Sequence, residues 1–153
     1  MKNKLDIKKV LLEKCFEFCN HKLDILHSQI EEINKALTSE TKSSAGDKHE
    51  TGRAMLHIER EKLGNQLLEL QKLIEILLRI QLHNMSKTIK LGSLVYTSQS
   101  NYFIGISAGA LKVGSELFYA VSKQSPIGEL LFGACIGDVI TFREQNFIIE
   151  EVI

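Results

Sequence analysis

Over the first eighty-odd residues the apolar positions recur at alternating spacings of four and three. Leu5, Leu12, Cys19, Leu26 and Ile33 fall every seven residues, and Lys9, Phe16, Leu23, Ile30 and Leu37 follow each of them by four. Nine of these ten positions are apolar, which is the seam of a coiled coil. The pattern resumes at Leu56, Leu63, Leu70 and Leu77, joined by Leu67 and Ile74, while Arg60 and Gln81 fill the seam less well. Between the two stretches runs Thr38-Ser-Glu-Thr-Lys-Ser-Ser-Ala-Gly-Asp47, dense in residues that favour loops and helix caps. The spacing predicts two helices of roughly 32 residues, each about 50 Å long at 1.5 Å per residue. A short polar connection folds such helices back as an antiparallel hairpin over residues 1–84, with a tip loop at about 38–50.

The period changes from Thr88 onward. Leu91–Thr97, Tyr102–Ser107 and Glu116–Ser122 read as strands bounded by turn residues. Ser125-Pro126 opens a short helix that ends by Gly133, since proline is tolerated in a first helical turn and glycine favours the end. Gly137-Asp138 marks a turn, and Val139–Phe142 and Phe147–Ile153 supply further strands. Residues 85–153 are therefore expected to form a small antiparallel α+β domain with one helix on one face.

Composition narrows the function classes. The 153 residues carry 19 basic and 19 acidic groups, with no Trp, one Pro and three Cys. Residues 1–84 hold 14 basic and 13 acidic groups and residues 85–153 hold 5 and 6, so neither part is polarised. That balance argues against affinity for naked nucleic acid through phosphate neutralisation and points to a protein partner. Apolar runs of a few residues are far short of the ~20 needed to cross a bilayer, so no membrane role is expected. A charged N-terminus and three scattered cysteines lead us to expect a cytoplasmic protein without a disulfide framework.

Two stretches carry a resemblance. Gly46-Asp47-Lys48-His49-Glu50 has a Gly-Asp-x-x-Glu spacing at the hairpin tip, and Ser125-Pro-Ile-Gly-Glu-Leu-Leu-Phe-Gly-Ala-Cys-Ile-Gly-Asp-Val139 matches a fifteen-residue signature in order and spacing. In both, the chain resembles the Gre-type transcript-cleavage factors of bacterial RNA polymerase. The resemblance implies a C-terminal domain similar in fold to FK506-binding proteins, which docks on the polymerase through Ser125, Pro126, Gly128, Gly133, Gly137 and Asp138. It implies a hairpin that enters the secondary channel and reaches the 3′ end of the nascent RNA. Asp47 and Glu50 would there help to hold a Mg²⁺ shared with the polymerase, with Lys48, His49 and Arg53 as further tip contacts. The free protein would bind no cofactor, act as a monomer and not itself be an enzyme, because the polymerase cuts the RNA. Where the family continues with Asn-Ala-Glu-Tyr, this chain has Thr51-Gly52-Arg53-Ala54. The alternatives are a secondary-channel regulator that does not stimulate cleavage, and a prolyl isomerase or protein-binding module built on the C-terminal domain.

Plainer readings stand beside these. Asp47-x-x-Glu50 is also the spacing of a capping box, which needs no metal. Cys15, Cys19 and Cys135 read as small buried hydrophobes, because free cysteine is among the most buried residue types. Arg53, Arg60 and Lys62 interleave with Glu50, Glu59 and Glu61, as on a solvated helix face. The aromatics of the C-terminal part, Tyr102, Phe103, Phe118, Tyr119, Phe142 and Phe147 among them, read first as strand packing.

Overall fold

A computed structural model describes residues 3–42 and 47–153, and for residues 40–42 and 47–49 the helical backbone alone. Two long helices come first: α1 (Lys4–Lys42) and α2 (Asp47–Leu78). They form an N-terminal hairpin. Asn3 caps α1, its side-chain oxygen accepting from the Leu5 amide at 2.6 Å, which satisfies one of the donors a helix start leaves open. The polar stretch from Thr38 is helical through Lys42, where the composition suggested a loop. Thr38 donates its hydroxyl to the Asn34 carbonyl at 3.0 Å, which lets a polar residue sit inside the helix.

Six strands and a short helix follow. They are β1 (Leu94–Thr97), β2 (Asn101–Gly105), β3 (Gly109–Val113), β4 (Glu116–Ser122), α3 (Pro126–Leu131), β5 (Val139–Phe142) and β6 (Gln145–Val152). They make one sheet in the order β3-β4-β2-β1-β6-β5. Four of the pairings are antiparallel, and β2 with β4 is parallel. The sequence pointed to an antiparallel sheet and did not show β3. That strand is Gly-Ala-Leu-Lys-Val, mostly exposed and without the alternation that marks a half-buried strand. Its presence adds one reversal of the chain, so β4 returns beside β2 in the same direction.

By contact the chain divides into two compact units, residues 19–74 and residues 1–18 with 75–153. In the first, Cys19, Leu26, Leu63 and Leu70 are buried, all seam positions of the heptad pattern. In the second, the sheet is covered on both faces. Leu131 of α3 joins Val95, Ile104, Phe147 and Ile149 in the core on one side. On the other, Ile80 and Leu77 lie against Gly105 beside Phe103, where a β-carbon at 105 would be 3.5 and 3.8 Å from their side chains. Central strands buried on both faces lose their alternation, which is why Leu94-Val95 and Phe103-Ile104-Gly105-Ile106 are apolar in succession.

The start of α1 departs from the predicted seam. Ile7, Lys8, Leu11 and Cys15 are buried there, while Leu5 and Leu12 are only half-buried and Lys9 is exposed. Within its unit this stretch meets the sheet as well: Lys4 pairs with Glu151 on β6 and sits 4.6 Å over the Tyr96 ring on β1. A helix covered by more than one neighbour buries a wider arc than a two-helix seam requires.

Candidate functional site

The signature segment Ser125–Val139 forms a cap, a short helix and two turns. Ser125 has extended backbone (φ −71°, ψ 157°) and is the N-cap of α3. Its hydroxyl donates to the Ser122 carbonyl at 2.6 Å and accepts from the Gly128 amide at 3.1 Å, tying the end of β4 to the helix start. Pro126 follows at the start of the helix, where its missing N–H costs nothing. Gly128 is fixed by space: a β-carbon there would lie 1.8 Å from the Ser122 carbonyl oxygen.

The later signature residues are equally occupied by backbone. Gly133 and Gly137 have φ of +87° and +91°, the left-handed region that glycine enters without strain. Gly133 donates to the Ile89 carbonyl at 2.8 Å, and Ile89 donates in return to Ala134 at 2.8 Å, which binds the segment to the chain preceding β1. Gly137 donates to Ile149 on β6 at 2.8 Å. Asp138 accepts from the Cys135 amide at 2.8 Å, closing the turn before β5. All six expected docking residues thus shape the backbone of this one segment.

What the segment presents outward is a different set. Leu130, Phe132, Ile136 and Val139 are 43, 40, 53 and 61% exposed, and Ile148, opposite Val139 in the β5–β6 pair, is 47% exposed. Lys123 sits 4.9 Å over the Phe132 ring. None of these side chains stands out in the sequence, because an apolar residue carries no local mark of whether the fold buries it. Only Leu131 of that run is fully buried. Cys135, expected in the core, is exposed, with its sulfur 3.6 Å from the Thr88 hydroxyl.

Beside the segment lies a cleft of about 480 Å³ lined by Tyr102, Tyr119, Ile127, Phe142 and Phe147, with Arg143 among its polar residues. Tyr102 stacks on Phe147 with centroids 6.3 Å apart and tilts against Tyr119 at 6.1 Å. Burial pushes the Tyr102 phenol above its ordinary range. Arg143 and Glu144 form the β5–β6 turn at φ of 51° and 66°, both left-handed as a type I′ turn demands, where glycine or asparagine is usual. Arg143 lies 4.9 Å from the Phe142 ring. The aromatics therefore divide: Phe103 and Phe118 are fully buried, Tyr102, Tyr119 and Phe142 line the cleft, and Phe147, buried in the core, lines it as well.

At the other candidate site, Glu50 is exposed on the first turn of α2. Asp47, Lys48 and His49 precede it in the same helix, but their side chains lie outside the described residues, and with them the expected carboxylate pair. Arg53 is half-buried one turn on. Among the described residues no group of three or more His, Cys, Asp or Glu side chains could hold a metal. Cys15 and Cys19 are fully buried on α1, and burial raises the Cys19 thiol above its usual range. His21, His27, His57 and His83 are all exposed. No described helix is long and apolar enough to cross a membrane.

No protein-family model matches this chain, and no curated protein matches it. Among solved structures it is similar to the crystal structure of GreA factor homolog 1 (Gfh1) of Thermus thermophilus, at 20% identity over 90% of this chain and 94% of that one, with a TM-score of 0.36. It is also similar to a structure of the transcription factor Gfh1, at 21% identity over 90% and 92% of the two chains, with a TM-score of 0.35.

Proposed function

We propose that this protein is a Gre-like factor that binds bacterial RNA polymerase and inserts its hairpin tip into the secondary channel. The observation that carries the reading is the joint presence of a long N-terminal hairpin and the Ser125–Val139 signature, folded as a capped helix and two glycine turns on a small sheet. The globular part docks through the apolar side chains that this backbone holds outward, Leu130, Phe132, Ile136 and Val139. An exposed apolar set is the usual mark of a protein-binding surface. The balanced charge fits a protein partner better than direct nucleic-acid affinity.

At the tip, Asp47 and Glu50 supply hard oxygen ligands of the kind Mg²⁺ prefers, offered to an ion shared with the polymerase. Asp47 and Glu50 would hold that ion, which would supply charge stabilisation to an RNA cut performed by the polymerase. The chain itself is not an enzyme in this reading.

Backtracked polymerase complexes mixed with the protein should release short 3′ RNA fragments, and Asp47→Ala with Glu50→Ala should abolish the release while leaving binding intact. Ile136→Asp should weaken capture of polymerase at least tenfold. Tight binding without fragment release would replace the cleavage factor with a channel-occupying regulator.

The aromatic cleft favours a second reading, a peptide-binding or prolyl-isomerase module. Turnover of a proline-containing peptide by the whole chain, lost in Tyr102→Ala, would select it.

A further inference from the structure

The aromatic cleft has a polar side that the polymerase reading does not use. It lies within the unit of residues 1–18 with 75–153, and its volume of about 480 Å³ falls among small-molecule sites, about 300–1,000 Å³. Flat side chains from three strands line it: Tyr102 of β2, Tyr119 of β4 and Phe147 of β6. Tyr119 is 38% exposed, so part of its ring is free to take a stacked partner. Such rings accept any flat π system, a nucleobase included.

The polar lining narrows the ligand. Among the described residues that line the cleft, Arg143 carries the only charge, so the lining is complementary to an anion. Its guanidinium makes no hydrogen bond or ion pair with a described residue, which leaves its fork of donors open. The side-chain amide of Gln145 is likewise unengaged, and that of Gln99 makes only a long contact, 3.5 Å to the Asn146 carbonyl. A glutamine amide sets one donor beside one acceptor, the pattern that matches the N6–N7 edge of adenine.

The backbone that holds Arg143 is a second observation. Arg143 and Glu144 have φ of 51° and 66° in a turn where glycine and asparagine are at ease. Other residues persist there at an energetic cost, and such positions cluster at ligand clamps. Here the strained turn sets a guanidinium on the cleft beside the Phe142 ring, while Glu144 is no part of the lining.

We propose that this cleft binds a nucleoside monophosphate, with the base against the Tyr102–Tyr119 pair, Gln99 and Gln145 on the base edge, and the phosphate on Arg143. A free phosphate would leave the aromatic rings unused, and a proline-containing peptide would leave the guanidinium unpaired. The inference goes beyond the polymerase reading, does not depend on it, and gives the cleft a ligand other than a peptide.

Titration of the isotope-labelled full chain with adenosine monophosphate, followed by two-dimensional NMR, tests this. Amide shifts should map to residues 99–102, 119–121 and 142–147 and saturate with a Kd below about 1 mM. Adenosine, which lacks the anion, and inorganic phosphate, which lacks the ring, should each bind at least about tenfold more weakly. Arg143→Gly should weaken the nucleotide at least about tenfold without lowering the melting temperature, since glycine enters the same left-handed region without strain. Tyr119→Ala should weaken the nucleotide and adenosine alike and leave phosphate binding unchanged. No saturable shift in the cleft, phosphate bound as tightly as the nucleotide, or wild-type affinity in Arg143→Gly would each overturn the proposal.

Discussion

A β-carbon at position 128 would meet the Ser122 carbonyl oxygen at 1.8 Å, and no rotamer can relieve a clash with backbone. Gly128→Ala must therefore move α3 off the end of β4, breaking the Ser125 hydroxyl's two hydrogen bonds as it goes. We expect a loss of about 3 kcal/mol, the upper part of the range for overpacking, read as a lower urea midpoint at unchanged slope. A loss under about 1 kcal/mol would mean that the helix start can shift freely. The same residue shows how far single positions were legible. Ser125, Pro126, Gly128, Gly133 and Gly137 stood out in the sequence because their chemistry is special: a cap, a fixed φ, a missing side chain. Such residues announce backbone geometry. Leu130, Phe132, Ile136 and Val139 carry no such mark, since an apolar side chain looks alike whether the fold buries it or leaves it outside.

Among whole elements, legibility followed the number of neighbours. Leu26, Leu63 and Leu70 lie on the heptad seam and are buried, because a helix packed on one other helix shows one stripe. Near the start of α1 that stripe fails, and Ile7, Leu11 and Cys15 are buried at spacings of four, since this stretch also meets the sheet. No local pattern encodes a second neighbour that lies eighty or more residues away in the chain. β3 escaped for the opposite reason, as an edge strand with little to bury. At the tip, composition marked a loop where α1 continues to Lys42, because helix length is set by packing as much as by propensity. A pair of substitutions in α2 separates seam from surface. Leu63→Ala, at 4% exposure, should cost about 3 kcal/mol, whereas Leu68→Ala, at 57%, should cost less than about 0.5 kcal/mol. Melts followed by helical circular dichroism would measure both, and equal losses would place Leu68 in an interface of its own.

The molecule as a whole is neutral, and its electrostatic character comes from a few buried groups. Lys8 is 2% exposed, and burial first, then Lys90, lowers its pKa below the ordinary value of 10.5. The Tyr96 hydroxyl is buried without a hydrogen-bond partner among the described residues. Burial, with the carboxylates of Glu116 and Glu151 opposing ionisation and Glu116 accepting only weakly from the hydroxyl, outside full hydrogen-bond geometry, pushes its pKa up to about 12. The two have opposite consequences for folding. Below its folded pKa, Lys8 is charged in both states, and the fold bears the cost of an ammonium removed from water. That cost fades as pH climbs through the folded value toward 10.5, because the unfolded chain then holds the extra proton. Tyr96 is neutral in both states up to about pH 10. Between 10 and 12 the unfolded chain ionises first, and stability falls. Cys19 and Tyr102, also raised by burial, lower alkaline stability in the same way, so the wild-type curve alone mixes several groups. Differences from single variants separate them. Lys8→Met should melt higher than wild type at pH 7, with an advantage that shrinks toward pH 10.5. Tyr96→Phe should gain about 1 kcal/mol at pH 7 by removing an unsatisfied buried hydroxyl. Its advantage should widen from pH 10 to 12, where wild type alone has the phenol of Tyr96 to ionise. Melting temperatures taken at half-unit steps from pH 7 to 12 test both slopes at once. A Lys8→Met advantage that stays constant with pH would mean that the ammonium is solvated in the fold, and that the start of α1 is open to water.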